Sequence, residues 1–164
     1  MAIANAVHKI SDIVNKICCL FCIVMLTAMV VVTGMQIICR VFFTALSWSE
    51  EATRYLLVWS TFIGGSVVYK HAGHISVTML QDVFPKIAQK VLRIMVHIIC
   101  GVFSAIAISF GLKYMGLQGN QLSAALRIPM RFMYMSIPVG FSIIELHVID
   151  AIFQMIAKRE EVLS

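Results

Sequence analysis

Residues 17–39 read ICCLFCIVMLTAMVVVTGMQIIC, and this run decides which solvent the protein folds in. No charged side chain interrupts it between Lys16 and Arg40. A helix that crosses a bilayer needs about 20 mainly apolar residues, and this stretch supplies them. The whole composition agrees. Of 164 residues, 60% are hydrophobic and 13% charged, with a mean hydropathy of +0.92. Soluble domains carry about 25% charged residues, and a domain of this size leaves too much surface exposed to hide so many apolar side chains. The remaining solvent is lipid. The expectation is an all-α membrane protein, with residues 1–164 forming a single membrane domain.

The reading extends outward from that run. It is too long for the apolar core of a signal peptide, and it continues as CRVFFTALSW without a small-residue cleavage pattern, so it is expected to stay as a permanent helix. Before it, Ile3, Val7, Ile10, Val14 and Ile17 recur at helical spacing, which predicts an amphipathic lead-in over residues 1–16 lying on the membrane surface. Further apolar stretches predict spans at about 52–69, 87–114 and 130–157, giving four transmembrane helices with 17–39. In HISVTMLQDVF, residues 74–84, Ile75, Met79 and Val83 fall on one face ahead of Pro85, which predicts a short amphipathic interfacial helix. Four spans put both termini on one side. Lys9, Lys16, Lys70, Lys86, Lys90, Arg93, Lys158 and Arg159 then lie on the terminal side, against Arg40, Arg54, Lys113, Arg127 and Arg131 on the other. The excess predicts cytoplasmic termini.

Chemistry-bearing residues are sparse. Cys18, Cys19, Cys22, Cys39 and Cys100 include one C-x-x-C, but inside an apolar span and without a second pair, so they read as small apolar residues rather than metal ligands. Lys86, Lys90 and Arg93 share a helix face with His97; they form a cytoplasmic basic stripe that either snorkels to the surface or docks anionic lipid or another chain. His97 and His147 fall at similar depth in antiparallel spans, and an alternative reading makes them axial ligands of a haem in a cytochrome-like membrane anchor. Glu145, near His147, is an intramembrane acid that could pair with His97. No metalloprotease, nucleophile-elbow, P-loop or dinucleotide motif is present, so no enzyme is expected and no cofactor or metal is assigned. Nothing in the sequence suggests nucleic acid as a partner.

The second span opens with SWSEEATRYLLVWSTFIGGSVVYK. Ser47 and Glu50 have capping-box spacing, Glu50 and Glu51 suit the helix N-terminus, and Arg54 is within i,i+4 reach of both acids. Ser60–Gly64 and Thr61–Gly65 are small-xxx-small pairs that admit a second helix. One acid suffices for capping, so the second points to a partner outside the helix.

Trp48, Glu50, Glu51, Arg54, Trp59, Gly64, Lys70 and His74-Ile75, with Ile128-Pro129, Tyr134 and Ile137-Pro138-Val139-Gly140 further on, resemble the DctQ-type small membrane subunit of tripartite ATP-independent periplasmic (TRAP) transporters. The likeness covers nearly the whole chain. Thr78 and Met130 depart from residues common in that family, an acid and a tryptophan. The resemblance implies a bacterial inner-membrane subunit that scaffolds a large transport subunit (M component). A periplasmic binding protein (P component) delivers an organic acid, such as a dicarboxylate or sialic acid, for symport with sodium or protons. It further implies partner docking or a subunit interface at Trp48, Glu50, Glu51, Arg54, Trp59, Gly64, Gly65 and His74, contact with membrane lipids, and a helix kink at Pro138.

Overall fold

In hydrocarbon no water is available to backbone amides, so each spanning segment must satisfy them internally, as a helix does. The structure, a computed structural model, describes the backbone of residues 2–44, 46–80 and 86–163 and the side chains of residues 5–44, 46–71, 88–89 and 91–155. Among these residues the chain is all-helical: α1 (Ala2–Phe42), α2 (Ser47–Leu80), α3 (Lys86–Leu117), α4 (Arg131–Tyr134) and α5 (Ser136–Leu163). Three stretches, Asn5–Phe42, Val91–Leu117 and Arg131–Met155, are long and apolar enough to cross a membrane. The expected fourth, in α2, falls short on composition, being interrupted by Ser60, Thr61, Gly64, Gly65 and Ser66.

Two expected surface helices take a different form. The lead-in is not a separate helix: α1 runs unbroken for 41 residues, about 61 Å at 1.5 Å per residue. Residues 74–80 likewise continue α2 to Leu80, since Gly73 alone does not end a helix; residues 81–84 of the expected interfacial helix lie outside the described residues. The fourth predicted span is divided, with α4 ending at Tyr134 and α5 beginning at Ser136. The cause is Pro138. Its ring has no N–H to give the Tyr134 carbonyl and crowds that same group, so the interruption falls at Met135, one turn before the proline.

The packing is inverted relative to a water-soluble core. Among the described residues few apolar side chains are buried, Cys18, Ile63, Pro138 and Val148, whereas Ser11, Asn15, Ser49, Ser60, Ser66, His97, Ser104, Ser123, Ser136, His147 and Asp150 are all buried. Apolar side chains face outward along α1 and α3, as Ile23, Val30, Ile99 and Phe103 do. In lipid, helices gain nothing by hiding leucine from leucine-like solvent, and small or polar residues make the interfaces. α2 lies between α1 and α5, and α5 also packs along α3. Ser60 and Gly64 face α1, where a Cβ on Gly64 would sit 3.7 Å from Cys22 Sγ and Cys22 Sγ lies 3.9 Å from the Ser60 carbonyl. Gly65, the other half of the expected packing face, meets nothing within 4 Å.

The closest approach is between α2 and α5. A Cβ on Gly140 would stand 2.8 Å from Phe62 Cβ and 2.9 Å from the Phe62 carbonyl oxygen. Phe62 and Phe103 then flank Phe141, at ring separations of 6.0 and 5.5 Å. Gly140→Ala drives a methyl into backbone that cannot rotate away. It is expected to lower stability by about 1–3 kcal/mol, read as a lower midpoint in thermal unfolding of the detergent-solubilised protein. Gly65→Ala, in open space, is expected to be neutral or mildly stabilising in the same assay, because alanine favours helix by up to about 1 kcal/mol.

Candidate functional site

The end of the bundle opposite the termini is organised by the start of α2. Ser49 Oγ donates to the Leu46 carbonyl at 2.7 Å, and the expected Ser47–Glu50 capping-box bonds do not occur among the described residues. Glu50 and Arg54 are exposed, and Arg54 forms no ion pair among the described residues. Glu51 has the partner that the surplus acid called for, and it lies in the same chain. Its Oε2 accepts the backbone N–H of Ala125 at 2.8 Å and of Leu126 at 2.7 Å. The clamped segment is a small hairpin. Leu122 bridges Pro129, the Ser123 N–H donates to the Ile128 carbonyl at 2.9 Å and the Met130 N–H to the Gln121 carbonyl at 2.8 Å. Four residues connect its arms, and the last, Arg127, has φ 56°, a left-handed conformation that a non-glycine residue adopts at a cost. The two amides gripped by Glu51 immediately precede it, so the carboxylate holds the turn closed. The Leu126 amide, helped by the Ser123 hydroxyl and the Ala125 and Ala124 amides, holds the Glu51 carboxyl below its ordinary value of 4.5 against the opposing effect of desolvation.

The same end carries a second tie. In a continuous helix the Phe132 carbonyl would bond the amide four residues on, but the interruption set by Pro138 leaves it free. Trp59 Nε1 donates to it at 3.1 Å, while Ser136 Oγ donates to the Met133 carbonyl at 2.7 Å. Trp59 also meets the edge of Phe21 of α1 at 6.4 Å, so one indole joins three helices. Trp48 is 37% exposed and serves no such tie. With Glu51 engaged, Glu50 is, among the described residues, the one acid free at this end, beside exposed Arg40, Arg54, Lys113, Arg127 and Arg131.

The opposite end is a polar network that the apolar reading of residues 1–16 overlooks. Lys70 of α2 reaches Asp12 and donates to Ser11 Oγ at 2.9 Å. The Ser11 hydroxyl, accepting from Lys70, also hydrogen-bonds His147 Nδ1 of α5 at 2.8 Å. His8 Nδ1 lies 3.0 Å from Asp150 Oδ2 and His8 Nε2 3.5 Å from Asp12 Oδ2. Asn15 is buried one turn further along α1. His8, Ser11, Asp12 and Asn15 follow i, i+3, i+4, i+7 spacing, and that polar stripe was the available signal. In a membrane bundle such a face turns inward.

Of the remaining candidates, His97 is buried and its Nδ1 lies 2.7 Å from the Tyr69 hydroxyl of α2. His97 and His147 are therefore tied to different helices, α2 and α1, and no observation supports a haem between them. Glu145 does not pair with His97. Its Oε2 is buried and has no hydrogen-bond partner among the described residues, as is true of Asn15 Oδ1 and His147 Nε2. Arg93 of the basic stripe is half-buried; the side chains of His74, Lys86 and Lys90 lie outside the described residues. No cluster of three metal-ligating side chains occurs among the described residues.

The arrangement defines a class: a helical membrane protein whose polar groups lock its own helices and whose end opposite the termini presents a braced loop. Residues 29–158 match the sequence profile described as tripartite ATP-independent periplasmic transporters, DctQ component, and the chain belongs to that family. A protein of Haemophilus influenzae named provisionally as a TRAP transporter small permease is 29% identical over 97 residues, covering 57% of this chain and 60% of that protein. An isethionate TRAP transporter permease protein, DctMQ, of Oleidesulfovibrio alaskensis is 27% identical over 108 residues, covering 65% of this chain and 17% of the longer one. The alignments thus span less than two thirds of either relative's length.

Two outcomes are expected. Glu51→Ala should release the hairpin, read as faster amide exchange at Ala125 and Leu126. In the unaltered protein the lowered Glu51 value means the clamp is fully formed above 4.5. It should be lost only as pH falls through the lower folded value, so the Ala125 and Leu126 amide shifts should titrate below the usual carboxylate range. At the other end, Ser11→Ala removes both the acceptor for Lys70 and the hydrogen-bond partner of His147 Nδ1. It should cost about 1–3 kcal/mol, measured by thermal unfolding.

Proposed function

We propose that this chain is the small subunit that scaffolds the large transport subunit of a TRAP transporter, within a system that takes up an organic acid on an ion gradient after delivery by a periplasmic binding protein. The observation that carries the reading is the family match over residues 29–158, together with a relative named DctMQ, a name that joins the M and Q components in one permease protein. Small carboxylates such as dicarboxylates or sialic acid are the proposed substrate class, and sodium the proposed coupling ion. Neither choice rests on a residue of this chain. In this reading α2 is the fourth span. Ser60 and Ser66 are buried in the bundle and Gly64 faces α1, so on that face α2 does not need the apolarity of a lipid-facing helix. Both termini are then cytoplasmic and the Glu51-clamped hairpin faces the periplasm.

The hairpin end is the proposed site of docking for the binding protein. Its free charge is mainly basic, from Arg54, Arg127 and Arg131 with Glu50 beside them, which suits an acidic rim on a soluble partner and gives contact that weakens with salt. Affinity purification of the tagged full chain from its native membrane should bring down a large polytopic subunit. Elution of the chain alone would overturn the scaffold role. Replacing Arg54 and Arg127 by Glu should leave that co-purification intact while reducing uptake and its dependence on the binding protein. Undiminished uptake would remove the docking role and leave the scaffold role standing.

A further inference from the structure

α3 and α5 do not close along their full length. Between them, bounded also by Val14 of α1, runs a groove of about 520 Å³, lined by Leu112 and Met115 of α3, by Ser142 and Leu146 of α5, and by Met135. Its one polar side chain, Ser142, spends its donor on the Pro138 carbonyl at 2.6 Å. The rest of the lining is apolar. From Met135 to Leu146 the helix rises about 16 Å, roughly half of a ~30 Å hydrocarbon core and so the depth of one leaflet. A transmembrane helix of a partner would need the full thickness. Above the groove sits an exposed cation: Arg131 is one helical turn before Met135, joined to it by the Met135 N–H to Arg131 carbonyl bond of 2.9 Å, so both occupy one face. The Arg131 guanidinium, 5.3 Å from the Phe132 ring, has no carboxylate partner among the described residues.

From this groove and its cationic mouth, we infer that the α3–α5 face is a phospholipid site, with one acyl chain laid between the helices and the phosphate at Arg131. The proposal is independent of the transported substrate. The occupant is a structural lipid of the leaflet on the hairpin side, retained by apolar contact along the chain and by charge at one end.

The test uses the full chain in membrane vesicles doped with phosphatidylglycerol carrying a diazirine in its acyl tail. After illumination, adducts are mapped by mass spectrometry. Labelling should concentrate on Leu112, Met115, Met135 and Leu146, several-fold above outward residues of α1 such as Ile23 and Val30. It should fall several-fold in Arg131→Gln and be lost from the groove in Ser142→Phe, which fills it. Equal labelling of α1 and the groove would reduce the site to bulk solvation by lipid. A groove protected from the probe would mean that another polypeptide covers it. Unchanged labelling in Arg131→Gln would remove the phosphate contact. Each of these outcomes overturns the proposal, and Arg131→Gln, being an exposed change, keeps the test valid if Ser142→Phe fails to fold.

Discussion

Apolar side chains cannot hold this protein together, because the lipid around it is as apolar as they are. The helices must instead meet through close backbone approach and through polar groups that have no better partner in hydrocarbon. Gly140 against Phe62 provides the first. The ties at the two ends provide the second: Glu51 on the hairpin amides at one end, and Lys70, Ser11 and His147 at the other. The outward burden of isoleucine, valine and phenylalanine is solvation rather than cohesion.

These contacts divide the labour between helices. α2 is the least apolar of the long helices, and it takes part in each of the main ties: Glu51, Trp59, Phe62, Tyr69 and Lys70 all belong to it. α5 supplies the opposing groups at Gly140, His147 and Asp150. α1 and α3 lie outside this pair and hand most of their surface to the surroundings. Pro138 links the two designs. By interrupting the helix it frees the Phe132 carbonyl, and Trp59, which would otherwise bring an unsatisfied N–H into an apolar region, takes it.

Much of this is legible in the sequence, and the unread parts share a cause. Length and apolarity locate the lipid-facing helices, because that signal is local and strong. The surplus acid at Glu51 is also visible, but its partner is 74 residues away and consists of backbone amides, which carry no residue-type signature. Near the N-terminus both faces of one helix were written in the same residues. The apolar stripe from Ile3 to Ile17 suggests a helix lying on a surface, whereas the stripe of His8, Ser11, Asp12 and Asn15 is the one that packs. Which face turns inward depends on Lys70, His147 and Asp150, residues that periodicity within α1 cannot see. The proline effect was displaced by one turn for a simple reason: proline disturbs the carbonyl four residues before it, not its own position.

The unbroken length of α1 sets a limit on how the protein sits in its membrane. A rod of 41 residues is about 61 Å long, and helices incline to the bilayer normal by at most about 40°. At that inclination a ~30 Å core accommodates about 39 Å of rod, or some 26 residues. About 15 residues must therefore emerge into the headgroups or beyond. The charged and hydrogen-bonding segment around His8, Ser11 and Asp12 has the composition for that exit. The same rod that is immersed in lipid is then gripped at the water boundary by α2 and α5, so any change in its slant has to be borne by those polar contacts.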